Sequence, residues 1–358
     1  MNRSCSTTRR GFLRRSLLAG LATAAASPFA GLARAAVETA VGSQLSSRVA
    51  LLAGTDRADL VFRNLKVFEP ELRRAIGDRH IVLKPNNVAI DSPLCATHAQ
   101  CLEGALEFLK SIGKLGNAVI AESAASGPTL DGFANYHYPA LAGKYGVQLV
   151  DLDAEPVDVI QVFDEKDFRP HPVRMARRLL DPNAFIISAT RLKTHDRVVA
   201  TLSLKNVIVG TAIKEAGFRW GPGGKPGARN DKPIIHGSGF RGINYNLFAL
   251  AQRLHPHLAI LDGVEGMEGN GPVGGTPVDH RVCVVSPDWL AADRVAVELM
   301  GIDFAKIGYL NYCAQANLGE ADLKKIEIVG EPVAPHIKTY KLNQNIEQQL
   351  IWQKPAAG

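Results

Sequence analysis

Short apolar runs alternate with longer amphipathic stretches along most of this chain. Residues 81–83 form one such run, ending at Lys84 and Pro85. Residues 97–112 then repeat apolar positions at helical spacing, with Leu102, Ala105, Leu106 and Leu109 on one face and Thr97 placed as a cap. Residues 118–121 predict the next strand, 130–145 a helix stopped by Gly146, and 147–152 another strand. Residues 157–163 alternate as an edge strand or hairpin arm does. A second series predicts strands at 184–188, 258–261, 282–285 and 326–329, with helices at 244–254 and 290–300. The strand at 258–261 is expected to stop at Asp262 and Gly263.

Buried strands separated by helices of this length predict an α/β fold, a mostly parallel sheet with helices on both faces. No internal repeat is visible. Residues 221–239 hold six glycines and three prolines and read as a loop or lid. The fold is expected to occupy 36–331, as one domain with a division into two lobes left open. Residues 332–358 read as a polar tail over the surface.

The first 35 residues change the meaning of the net charge. Thr8-Arg9-Arg10-Gly11-Phe12-Leu13-Arg14 fits a twin-arginine export signal, followed by an Ala-rich apolar stretch and Ala33-Arg34-Ala35, a small-x-small cleavage pattern. That segment carries six arginines and no acid, so the remainder has 35 basic and 35 acidic residues. The formal +6 belongs to the signal and gives no argument for nucleic-acid or membrane-surface binding. The expected mature chain starts near Ala36, has no membrane span, and works in the periplasm after export by the twin-arginine machinery; retention of the signal as an anchor is the alternative. That route carries folded proteins, often loaded with a cofactor.

Cys95, Cys101, Cys283 and Cys313 remain after cleavage. Their spacing matches neither a ferredoxin cluster nor a paired zinc motif. Cys283 and Cys313 read as buried thiols, while Cys95 and Cys101 are able to pair in an oxidising compartment.

Polar residues gather just after the apolar strands. In a parallel sheet that is the carboxyl edge, where ligands bind. Lys84, Asn86 and Asn87 follow the first run; an ordinary turn is the alternative there. Lys193, Thr194, His195, Thr201, Lys205 and Asn206 follow 184–188, and this density of lysine, histidine and hydroxyl groups suits an anion or a proton transfer. His236 sits between glycines in the long loop, a pattern equally that of a surface histidine. Asp262 through Pro272 carries Asp262, Glu268, Gly269, Asn270 and Gly271, with carboxylates for a cation or a base and glycines for close approach. Asp288 reads as the cap of the helix beginning near Trp289, and Asp293 as facing a partner or water.

These segments together resemble a family known as domain of unknown function 362, from about Val61 to Gly330. Some members of that family carry an added ferredoxin domain; this chain has no such cysteine run. His195 and Lys205 also stand ten positions apart, a spacing that resembles the histidine and cofactor-bearing lysine of nickel-pincer lactate racemases, although the glycine-rich run before that lysine is absent here. The second resemblance implies a lysine-anchored cofactor.

The leading function is an exported enzyme holding a metal or an anionic cofactor or substrate at the sheet edge. His195, Lys205 and Glu268 are the catalytic candidates. Lys84, Asn86, Lys193, Thr194, Thr201, Asn206, Gly269, Asn270 and Gly271 are the ligand-binding candidates. His195, His236 and Asp262 are the metal candidates. The alternatives are a non-catalytic binding protein for a small anion and a redox accessory protein. Lys84, His195, Lys205 and Asp262 are expected to converge on one cleft.

Overall fold

Alternate residues of the central strands face two different cores. Val82, Ala184, Ile186, Ala259 and Leu261 pack on one side. Ile81, Leu83, Phe185, Ile187, Leu258 and Ile260 pack on the other. A strand buried on both faces must be apolar in nearly every position, and this is why these runs lack the polar alternation of a half-exposed sheet. A computed structural model describes residues 47–355; the twin-arginine segment and its cleavage site lie outside them.

The strands are β1 (Ser47–Ala53), β2 (His80–Lys84), β3 (Ala118–Glu122), β4 (Gln148–Asp151), β5 (Val157–Phe163), β6 (Pro170–Ala176), β7 (Ala184–His195), β8 (Val199–Thr201), β9 (Leu258–Asn270), β10 (Gly274–Ser286) and β11 (Ile326–Gly330). The main sheet runs β11-β1-β10-β9-β7-β2-β3-β4, with β8 folded back on β7. The pairs β9/β7, β7/β2, β2/β3, β3/β4 and β1/β11 are parallel. β10 is antiparallel to both neighbours. β5 and β6 form a separate hairpin. Helices Ser203–Thr211, Phe240–Ala251 and Trp289–Leu299 cover one face; Arg57–Lys66, Glu69–Ile76 and Ala99–Ser111 cover the other. The α/β class and the mostly parallel sheet agree with the sequence reading.

Several boundaries differ, each for a local reason. Helix Ala99–Ser111 is capped by His98, whose ring accepts from Gln100 N. Thr97 instead donates to Ala189 O (2.7 Å) and accepts from Asn86 N (2.8 Å), tying β7 to the exit of β2. The helix expected over 130–145 is two, Thr129–Asn135 and Tyr138–Tyr145. His137 takes a left-handed conformation (φ 63°) ahead of Pro139 and breaks the run. β9 does not stop at Asp262 but continues to Asn270, paired with β10 as a long hairpin. Its glycines mimic a loop in the sequence; in the structure they make room, as at Gly266, where any Cβ would overlap Tyr340. Asp288 caps helix Trp289–Leu299, accepting from Leu290 N and Ala291 N. The four cysteines among the described residues are buried free thiols, Cys95 and Cys101 included. The last segment is anchored: Tyr340, Asn343 and Gln349 are buried, because each has a polar partner inside, His280, the Gly271 carbonyl and the β7–β8 turn respectively.

Candidate functional site

The carboxyl ends of β2, β3 and β7 open into a cleft of about 910 Å³. Its floor begins at the last residue of β2. Lys84 follows the parity of Val82 and so points toward helix Ser203–Thr211. Its Nζ donates to both oxygens of Glu122 (2.7 and 2.8 Å), to Pro85 O (2.8 Å) and to Asn206 Oδ1 (3.1 Å). Glu122, at the end of β3, also accepts from Asn87 N and Ser123 N. Gly210 faces this pair across the helix, and a Cβ there would strike the Lys84 ammonium. Three elements are thus locked by one buried ion pair at the cleft, whose Glu122 is part of the lining.

β7 brings in the next group. It runs to His195 and turns back through β8, where Val199 holds a left-handed conformation (φ 67°) that a β-branched residue seldom adopts. Gln349 Oε1 accepts from Val199 N (2.6 Å), and Gln349 Nε2 donates to His195 O (2.9 Å), so the C-terminal segment holds this strained turn. His195 Nδ1 accepts from Arg197 N (2.9 Å), which places the proton of the neutral ring on Nε2. Burial, reinforced by Lys205, holds the imidazole well below its usual pKa. His236 faces the same cleft, and burial with the Lys205 charge lowers it to about 3.

Lys205 lies in the first turn of helix Ser203–Thr211. Asp293 caps that helix, accepting from Ser203 N (2.9 Å) and Leu204 N (3.3 Å) rather than facing water or a partner; burial raises its pKa to about 7. The Lys205 side chain is buried yet lines the cleft, and among the described residues its ammonium has no hydrogen-bond or ion-pair partner. Burial, then the charge of Lys193, lowers its pKa to about 7. Three cleft residues carry polar atoms without partners, Asn86 Oδ1, Asn87 Nδ2 and Thr201 Oγ1. Buried polar atoms are ordinarily satisfied, so these three leave unused hydrogen-bonding capacity in the residues of the cleft; Thr190, Ser203 and Tyr309 carry similar atoms away from it.

Lys232 also lines the cleft, and its Nζ donates to Ser123 Oγ (2.7 Å) and to the Ala212 carbonyl. Ser123 in turn donates to Asp153, whose other oxygen is held by Lys214. Burial lowers Lys232 to about 7.

Of the residues the sequence singled out, Asn86, His195, Thr201, Lys205, His236, Asn270 and Gly271 line the cleft. Gly271 is required by space, since a Cβ would overlap the Thr194 carbonyl. Lys84, Lys193, Thr194 and Asn206 lie beneath or behind it. Lys193 donates to Cys95 O, Thr194 Oγ1 to Gly269 O, and Asn206 Nδ2 to Lys84 O and Ser188 Oγ. These are braces between strands rather than groups presented to a ligand. Glu268 accepts from Lys341 N (2.8 Å) and Gly269 N donates to the Lys341 carbonyl, so both serve the C-terminal segment and neither lines the cleft.

Asp262 corrects the expected convergence. It has the parity of Leu258 and Ile260 and so faces the other side of the sheet, where Arg57 Nε donates to its two oxygens at 3.0 and 3.2 Å. Among the described residues no three His, Cys, Asp or Glu side chains gather to hold a metal ion, and the set His195, His236 and Asp262 is divided by the sheet. The sequence reading passed over Glu122, Ser123, Asp153 and Lys232. The rule that found Lys84 also points to the first three, because each sits at or just beyond the end of a predicted strand.

Residues 81–298 match the family described as a domain of unknown function, DUF362, and the chain belongs to it. A thylakoid-associated protein of Synechocystis sp. is 25% identical over 245 residues, which cover 68% of this chain and 68% of that protein. Among the described residues no helix is long and apolar enough to cross a membrane.

Proposed function

We propose that the chain is an exported enzyme whose cleft binds a small anionic substrate or cofactor through Lys205, with His195 as the proton-handling group. The observation that carries this reading is the Lys205 ammonium. It belongs to a buried residue, lies on a cleft of about 910 Å³, and has no partner among the described residues. A desolvated ammonium in that position gains most from an anion. Thr201 Oγ1 and Asn87 Nδ2, two groups able to donate among the residues lining the same cleft, have unused hydrogen-bonding capacity.

His195 supports an enzyme over a passive binder. Its neutral ring offers an Nε2 proton beside the anion site, suited to polarising a carbonyl or protonating a carbanion next to a carboxylate. Export rests on the Arg9–Arg10 segment, and replacing both arginines with lysine should keep the protein in the cytoplasm; continued export of that variant sinks this part.

The test of the site is ligand content. Protein purified from its native compartment is examined by native and denaturing mass spectrometry beside Lys205→Met, with thermal melting of both. Wild type should release a small anion that the folded variant lacks. A covalent adduct on Lys205 would establish an anchored cofactor instead. A folded Lys205→Met protein with undiminished ligand rules the reading out.

A further inference from the structure

Five lysines are buried around this cleft, Lys84, Lys193, Lys205, Lys214 and Lys232. Two have a carboxylate within ion-pair distance. Lys84 has Glu122 and Lys214 has Asp153. Asp151 sits behind Asp153, with burial and the Asp153 charge raising its pKa. Asp91 and Asp196 line the rim, where water screens them. Lys193, Lys205 and Lys232 are left without a carboxylate partner, and the last two line the cleft. Lys232 donates only to neutral oxygens, of Ser123, Ala212 and Val209.

We propose that the cleft takes a small molecule bearing at least two negative charges, one group held by Lys205 and the other by Lys232. The inference rests on the anion-site reading above and specifies its ligand. One anion would leave the other buried ammonium without a direct anionic partner, Lys232 having only neutral oxygens and the more distant Asp153 charge, whereas two anionic groups on one molecule supply one to each lysine. A dicarboxylate and a phosphate monoester share this chemistry. Because burial pulls both lysines to about 7, the empty cleft is partly deprotonated at neutral pH. Dianion binding therefore takes up protons.

The experiment is calorimetry on the purified chain at pH 7.5 in two buffers of unlike ionisation enthalpy. The probes are the three- to six-carbon dicarboxylates, each against the monocarboxylate of equal length, and glycerol 3-phosphate against glycerate. At least one dianion should bind tenfold or more tightly than its monoanion, with net proton uptake. The better binder of the two classes identifies the second group as carboxylate or phosphate. Lys205→Met and Lys232→Met should each erase the preference, and Lys232→Arg should keep it. Lys232→Met takes a favourable charge from Asp153 but leaves it in direct contact with Lys214, so the variant should stay folded, and its melting temperature is measured beside its binding. Equal affinity within every pair, a preference that survives Lys232→Met, or no binding by any dianion overturns the inference. Those results leave the anion site standing if wild type still releases an anion that Lys205→Met lacks. Undiminished ligand in Lys205→Met removes both.

Discussion

Lys84 Nζ lies 2.7 and 2.8 Å from the two carboxylate oxygens of Glu122, and both side chains are buried, Glu122 in the lining of the cleft and Lys84 behind it. Removing one partner of such a pair leaves a lone charge in a poorly solvated place. Lys84→Met should therefore cost about 3–5 kcal/mol of unfolding free energy, read from urea melts. The double variant Lys84→Met, Glu122→Gln should recover a large part of that loss, because the stranded carboxylate is gone. A single variant as stable as wild type would show that the pair is not what joins β2, β3 and helix Ser203–Thr211.

Asp262 and Arg57 make the corresponding contact on the far face of the sheet. Asp262→Asn removes the charge from a carboxylate that accepts twice from Arg57 and once from Val264 N. It should lower stability by about 1.5–3 kcal/mol, as loss of hydrogen bonds to a charged group does, while ligand content stays at the wild-type level. Loss of ligand from a folded Asp262→Asn protein would reverse the separation of this residue from the cleft.

What the sequence made legible followed from period. Apolar runs at 81–83, 118–121 and 184–188 located the parallel strands, and the residues just after them located the cleft. Asp262 was misplaced because strand parity works only along a strand whose length is known. Asp262-Gly263-Val264-Glu265-Gly266 has the composition of a loop, so nothing in it showed that β9 continues and that an even-numbered residue faces the other core. Glu122 and Lys232 were missed for a different reason. Their importance lies in being paired or unpaired, a property of three-dimensional neighbours that residue type does not carry. Gln349, buried under the strained Val199 turn, comes from a segment whose polar composition reads as a tail.

Trp220 gives an optical handle on the cleft. It lines the mouth, is 58% exposed, and is supported edge-on by Phe218 at 4.9 Å, with its backbone N–H held by Ser126 Oγ. Trp289 is buried away from the cleft lining, and Trp352 is fixed by the Lys306 carbonyl. Ligand release should change tryptophan emission, and Trp220→Phe should abolish most of the change while leaving the protein folded. A full signal in that variant would place the responding tryptophan elsewhere.

The pH dependence of stability carries the sharpest sign. In the ligand-free protein Lys205 and Lys232 are lowered to about 7 and Lys193 to about 8, all by burial first, against about 10.4 in the unfolded chain. Between those values the unfolded state binds more protons than the folded one, so stability rises with pH from about 7 to about 10. His236, lowered to about 3, contributes in the same direction at lower pH; its share is fully present above the unfolded histidine pKa near 6.5 and is lost as pH falls toward 3. Asp293 acts the other way. Its pKa near 7 exceeds the unfolded value near 3.9, so the stability it contributes is present in acid and is lost as pH rises through 7. Above about pH 8 the aspartate has largely titrated and the lysines dominate, until at about pH 8.5 the thiols of Cys101, Cys283 and Cys313, which burial holds above their unfolded value, begin to act against them. Urea midpoints of the ligand-free protein should therefore climb between about pH 7.5 and about pH 8.5. Lys205→Met and Lys232→Met should each flatten the climb, and a bound dianion should flatten it too by holding the ammonium groups charged. A midpoint that stays level or falls across that range in ligand-free wild type would mean that these lysines remain protonated in the folded state.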